Sequence, residues 1–105
     1  RSEEAKRLEA RIPDGSRVIA LAREGKGWTS RELARQLERW LLDSRPMAIL
    51  IGGSEGLDPS LLARAETRWS LGPLTLPHEL ARVVALEQLY RGFTILRGEP
   101  YHKGA

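Results

Sequence analysis

The chain has 105 residues, 41% of them apolar, which is room for one small domain with a modest core. It holds no cysteine, so disulfide frameworks, thiolate zinc sites and cysteine nucleophiles are excluded for this chain, and no apolar stretch nears the ~20 residues of a membrane span. Seventeen basic against fourteen acidic residues leave a formal charge of +3, a mild excess that suits a polyanionic partner without requiring one. The charged start Arg1-Ser2-Glu3-Glu4 lacks the apolar region of a signal peptide, so the expectation is a cytoplasmic protein with no membrane partner. An opening arginine inside a helical pattern further suggests a single domain, 1–105, whose natural start lies upstream.

In chain order, Ala5, Leu8 and Ile12 form an apolar stripe among charges, predicting a surface helix over 2–11 that Pro13-Asp14-Gly15 closes. Residues 17–22 are nearly all apolar, as expected of a strand covered on both faces in a parallel sheet. Gly25 and Gly27 mark a loop. Thr29 and Glu32 have capping-box spacing, and Leu33, Leu37, Trp40 and Leu41 share one face of a helix running to 43. Residues 47–51 read as a second buried strand. Asp58 and Pro59 then read as the N-cap and first turn of a helix predicted to reach 69. A short third strand is predicted at 74–76, Pro77 opens a last helix to 93, and the tail 98–105 is polar and glycine-rich. Strand and helix alternate, which indicates an α/β sandwich with a mainly parallel sheet, because parallel neighbours need helical crossovers.

Two segments carry possible chemistry. Ile51-Gly52-Gly53-Ser54-Glu55-Gly56-Leu57 follows a parallel strand, the usual place for a ligand crevice. It has neither the Gly-Lys-Ser/Thr of a phosphate loop nor the spacing of the dinucleotide fingerprint, so by itself it reads equally as a tight turn or as a ligand loop. Trp69-Ser70-Leu71-Gly72-Pro73-Leu74-Thr75-Leu76-Pro77-His78 combines two prolines and a glycine directly before an apolar helix. Such a segment can set backbone amides and carbonyls around a planar ring, or can be an ordinary loop.

Taken with a helix containing Glu87-Gln88-Leu89-Tyr90-Arg91 and the ending Pro100-Tyr101-His102-Lys103, these segments agree in identity, order and spacing with one family. Over 17–103 the chain resembles the ribosomal RNA large subunit methyltransferase H family of the SPOUT class, without that family's leading strand, helix and strand. The resemblance implies a deep C-terminal trefoil knot, against the general rule that chains are not knotted. It implies a homodimer and an S-adenosyl-L-methionine pocket built from the knot loops, with no metal. It also implies methylation of N3 of a pseudouridine in 23S rRNA, in the large subunit or assembled ribosome. Leu21, Gly53, Gly72, Pro73, Leu74, Thr75, Leu76 and Pro77 match the family's cofactor-binding positions. Apolar faces for an adenine would come from Leu21 and Leu76. The alternatives are a non-catalytic or engineered truncation that keeps cofactor binding and dimerisation, or a SPOUT methyltransferase for another RNA.

The remaining singled-out residues have plainer roles available. Glu87 falls on an apolar stripe and needs a partner such as Arg91 four residues on. Trp40 and Trp69 read as core, and His78 as a first-turn residue. Glu55 would cap backbone amides or arrange the glycine loop, and Arg1, Lys6, Arg7 and Arg11 form a solvated or phosphate-facing surface. The last helix places Leu80, Val83 and Val84 on one side and Leu86, Leu89 and Phe93 on another, more than one small sheet can cover, which favours a two-fold partner. Tyr101, His102 and Lys103 are the candidate substrate-handling residues: a ring to stack or hydrogen-bond near the base, an imidazole for the imide proton and a cation for phosphate. The expected tail is mobile until RNA binds.

Overall fold

In a computed structural model that describes residues 2–52 and 56–104, seven elements follow one another: α1 (Ser2–Arg11), β1 (Arg17–Gly27), α2 (Ser30–Trp40), β2 (Met47–Leu50), α3 (Pro59–Arg64), β3 (Thr67–Ser70) and α4 (His78–Leu96). The strands form a three-stranded parallel sheet in the order β2-β1-β3, an α/β architecture with helices on both faces. No helix among the described residues is long and apolar enough to cross a membrane.

The pleat of β1 decides which helices go where. Successive strand side chains point to opposite faces, so Val18 and Ala20 pack with Ala5, Ile12 and Leu61 of α1, its flank and α3. Ile19, on the other face, packs with Leu33, Leu37 and Trp40 of α2, Trp69 of β3 and Ala85 of α4. Ile19 and Leu37 are fully buried. Gly92 lets α4 cross close over α2, because a Cβ there would stand 2.6 Å from the Leu37 Cδ1 atom.

Local chemistry explains the helix starts. Thr29 Oγ1 accepts from the Glu32 amide at 3.1 Å while the Thr29 amide donates to Glu32 Oε1 at 2.8 Å, so the capping box expected from the sequence opens α2. Asp58 accepts from the Ser60 amide at 2.9 Å, and Pro59 occupies the first turn of α3.

Three elements differ in kind from the sequence expectation, while α2 stops at Trp40 short of 43, leaving Leu41 exposed, and α4 runs past 93 to Leu96. The helix predicted to reach 69 ends at Arg64; Ala65 is extended and the chain enters β3 at Thr67. Thr67 and Trp69 favour strands, and the open edge of β1 offers them a ladder that a six-residue helix cannot match. The predicted strand at 74–76 is a loop: Pro73 has no amide to donate, Gly72 sits at φ +116°, and Leu74 is 74% exposed. The expected loop around Gly25 and Gly27 belongs to β1, which pairs with β3 through Leu21↔Trp69, bulges over 22–25, and resumes at Lys26↔Trp69. A Cβ on Gly25 would lie 2.4 Å from the Arg68 carbonyl oxygen, so only glycine allows the bulge to close against β3.

Leu37→Ala should lower the unfolding free energy by about 2–5 kcal/mol, as for other fully buried leucines, read as a shifted urea midpoint. A change under about 0.5 kcal/mol, the scale of a surface substitution, would contradict the role given to this side chain.

Candidate functional site

Where β1 and β2 end, the sheet opens into a cavity of about 410 Å³, the size of a small-ligand site. Its walls are β1 at its bulge, the residues on either side of 53–55 after β2, and the loop 71–77 with the first turns of α4, together with Leu62 of α3 and Trp69 of β3. Its apolar side includes Leu21, Ile51, Trp69, Leu71 and Leu76. Its charged and titratable side chains are Arg23, Glu24 and His78. Arg23 Nη2 donates to the Pro73 carbonyl at 3.1 Å, tying the bulge of β1 to the loop 71–77. Ser70 Oγ accepts from the Gly72 amide at 3.0 Å and shapes the start of that loop. After β2, Gly52 approaches the chain at Gly56 so closely that a Cβ would stand 2.4 Å from the Gly56 carbonyl carbon.

Of the expected cofactor positions, Leu21, Gly72, Leu74, Thr75 and Leu76 line this one cavity. Pro73 and Pro77 belong to the same loop without lining it. Gly53, with Ser54 and Glu55, lies outside the described residues, between the lining residues Gly52 and Gly56. The sequence reading missed Ala22, Arg23 and Glu24, although the rule that ligands sit beyond the carboxyl ends of parallel strands pointed to them. His78 is both a first-turn residue and a lining one.

The tail lies elsewhere. None of Tyr101, His102 and Lys103 lines the cavity; the tail contacts α4. Tyr101 donates its phenolic proton to Glu87 Oε2 at 3.0 Å, and its ring lies 4.8 Å below the Arg91 guanidinium and 4.9 Å from the Tyr90 ring. Arg91 donates to Glu87 Oε2 at 2.7 Å, the pairing expected for that carboxylate, which is nonetheless about a third exposed. Arg91 Nη1 meets His102 Nδ1 at 3.1 Å; a guanidinium can only donate, so Nδ1 accepts and the ring proton sits on Nε2. Arg31 of α2 donates to the Gly104 carbonyl at 3.0 Å. Lys103 is exposed. The tryptophans stand as core: Trp40 and Trp69 are buried, and Trp28 meets their rings at 5.9 Å and 6.3 Å.

An α/β chain with a cavity beside its parallel strands, walled by a proline-rich loop, is the class that the fold and the candidate site define. The chain belongs to the SPOUT methyltransferase family: a family model described as "Predicted SPOUT methyltransferase" matches residues 1–102. It is 50% identical over 101 residues to ribosomal RNA large subunit methyltransferase H of Pseudomonas paraeruginosa (strain PA7), covering 96% of this chain and 65% of the relative. The proteins of the same name from Pseudomonas putida (strain W619) and Azotobacter vinelandii (strain DJ) are each 48% identical over 101 residues, with the same coverage. The chain spans 65% of the length of these relatives.

Docking of the tail should depend on pH at both extremes. Hydrogen bonds from Arg91, then Tyr101, hold the Glu87 carboxyl below its ordinary value, so its contribution is present above that value and is lost as pH falls through the lowered one. The bond to Glu87 raises the Tyr101 phenol, so its contribution is complete below the ordinary tyrosine value and is lost as pH rises through the raised one. Amide exchange at 101–104 should be slowest between these limits, and Glu87→Ala should speed it several-fold at neutral pH with the sheet unaffected. Equal exchange in parent and variant would show that the carboxylate does not hold the tail.

Proposed function

We propose that the chain is the cofactor-binding part of an RNA methyltransferase that acts on N3 of a pseudouridine in 23S rRNA, using S-adenosyl-L-methionine, in the cytoplasm. The observation that carries this reading is the convergence of Leu21, the glycine turn and the loop 71–77 on one cavity in a SPOUT-family chain half identical to ribosomal RNA methyltransferases. The fit supports it. Leu21, Leu71 and Leu76 offer apolar faces to an adenine, the loop offers backbone groups to its edge, and Arg23 and Glu24 offer charges to a zwitterionic amino-acid end. Membership of the family also supports the trefoil knot.

Bound S-adenosyl-L-methionine would supply an activated methyl group on a sulfonium. The chain's own task is to hold the acceptor in line, exclude water, and take up the imide proton that the pseudouridine base loses. Once the tail leaves Arg91, His102 Nδ1 is the candidate acceptor for that proton, with Tyr101 for stacking or hydrogen bonding at the base and Lys103 for phosphate. Since these residues lie away from the cavity of their own chain, the site would be completed by the tail of a second copy. On α4, Leu80, Val83, Leu86 and Tyr90 recur at three- and four-residue spacing and are all exposed, beside exposed Leu74 at the cavity lip. Leu89 and Phe93, expected on a partner-seeking side, instead pack into the core, so the homodimer would use the stripe from Leu80 to Tyr90.

Calorimetry should detect S-adenosylhomocysteine binding, and Gly52→Val should weaken it at least ~10-fold by forcing the turn open at the cavity floor. Absence of binding to the parent would sink the cofactor assignment. Truncation after Pro100 should slow single-turnover methylation of ribosomal RNA by ~10²-fold or more, with cofactor affinity little changed. Parental turnover would make the tail dispensable. Light scattering should report a dimer that Val83→Asp converts to a monomer; a monomeric parent at micromolar concentration would remove the shared site.

A further inference from the structure

A second concavity, of about 480 Å³, lies between the end of β1, α2 and β3, and it differs in character from the cavity described above. Its cations are Lys26, immediately after the β1 bulge, Arg39 near the end of α2, and Arg68 on β3. All three are exposed, and among the described residues none has an ion-pair or side-chain hydrogen-bond partner. Arg17, Arg45, Arg64, Arg91 and Arg97 are all paired with carboxylates, whereas Lys26, Arg39 and Arg68 converge on one concavity without such partners. Two acids share the groove. Glu66 is already engaged by Arg45 at 2.8 Å, with Arg17 at 3.9 Å, and these cations hold its carboxyl below the ordinary range. Glu24 remains at the rim, so the groove keeps a positive excess.

The position is as informative as the charge. Glu24 borders both concavities, and Gly25 seals the bulge against the Arg68 backbone. The groove and the candidate cofactor cavity are therefore back to back across residues 22–25. A polyanion lying in the groove would pass directly beside the cavity.

We propose that this groove holds the sugar-phosphate backbone of the RNA, a positioning contact that reads charge and not sequence. The inference rests on the RNA methyltransferase reading and adds the surface by which the substrate is held. Phosphate is favoured over bases because the lining offers three cations and one aromatic ring, Trp28, which is half-buried and already engaged edge-on by Trp40 at 5.9 Å and at a tilt by Trp69 at 6.3 Å. An RNA backbone is favoured over an acidic protein because the groove has no exposed large apolar residue to form the dry centre of a protein interface. Gln36 and Thr67, also in the lining, can donate to phosphate oxygens between the cations.

The test is fluorescence anisotropy of a labelled hairpin RNA across a potassium chloride series, comparing the parent with the triple variant Lys26→Ala, Arg39→Ala, Arg68→Ala. Loss of three phosphate contacts should make the slope of log affinity against log salt shallower by ~2 and weaken binding at least ~10-fold near ~0.1 M salt. Arg82→Ala, which removes an exposed cation from α4 outside the groove, should change the slope by less than half as much. Far-ultraviolet circular dichroism and S-adenosylhomocysteine affinity should match the parent, since none of the three side chains lines the other cavity. A parental slope and affinity in the triple variant overturns the proposal, as does a parent that shows no salt-dependent RNA binding. Loss confined to a polyglutamate probe, with RNA binding intact, also overturns it and assigns the groove to an acidic protein. Failure of the methyltransferase reading would appear separately, as absent S-adenosylhomocysteine binding in a parent that still holds RNA.

Discussion

Parallel pairing of β1 with a strand on each side is the contact on which the molecule depends. It buries β1 from both faces, so Val18 and Ala20 recruit α1 and α3 while Ile19 recruits α2 and α4. It also places the ends of β1 and β2 at one edge of the sheet, where backbone groups leave the ladder and a ligand can reach them. The pairing with β3 is interrupted at one point. Residues 22–25 bulge out, and Trp69 faces both Leu21 and Lys26. That bulge makes the wall shared by the two concavities. Gly25 is the residue that permits it, because any side chain there would collide with the β3 backbone.

The polar chemistry is arranged in separate zones around this frame. The cavity beyond β1 carries few charges, and Arg23 spends its guanidinium on joining its two walls. The tail forms a compact cluster with Glu87, Arg91 and Tyr90, in which the carboxylate accepts from both a guanidinium and a phenol. On a surface this open, each such bond contributes modestly, and the cluster matters for where it places the tail more than for global stability. Tyr101 and His102 lie beside α4 and away from the cavity of the same chain, and α4 leaves Leu80, Val83, Leu86 and Tyr90 exposed.

Much of this was legible from residue order alone where a signal was local. The capping box at Thr29 and Glu32, the N-cap Asp58 with Pro59, and the nearly continuous apolar run over 17–22 depend on neighbours within four residues or on burial from both faces; the two caps appear as expected and the run is the buried first half of β1. The segments that line the candidate cavity were legible for a different reason. They match a family pattern, and five of the eight positions it pointed to line one cavity. Periodicity misled where a short segment could pair with a strand distant in sequence: residues 65–70 left their helix because the edge of β1 was open to Thr67 and Trp69.

By itself, then, the sequence determined the α/β class, the burial of β1 from both faces, the helix starts and the segments that line the candidate cavity, since each follows from local hydrogen bonding, burial pattern or family likeness. Only the tertiary structure decided which strand edge captured 67–70, that Gly25 is a contact point and not a loop tip, that Lys26, Arg39 and Arg68 converge, and that the tail rests on Glu87 and Arg91. Those outcomes join residues 10 to 48 positions apart along the chain. Their energies arise only when the sheet has brought the partners together, and no local pattern in the chain encodes that distance.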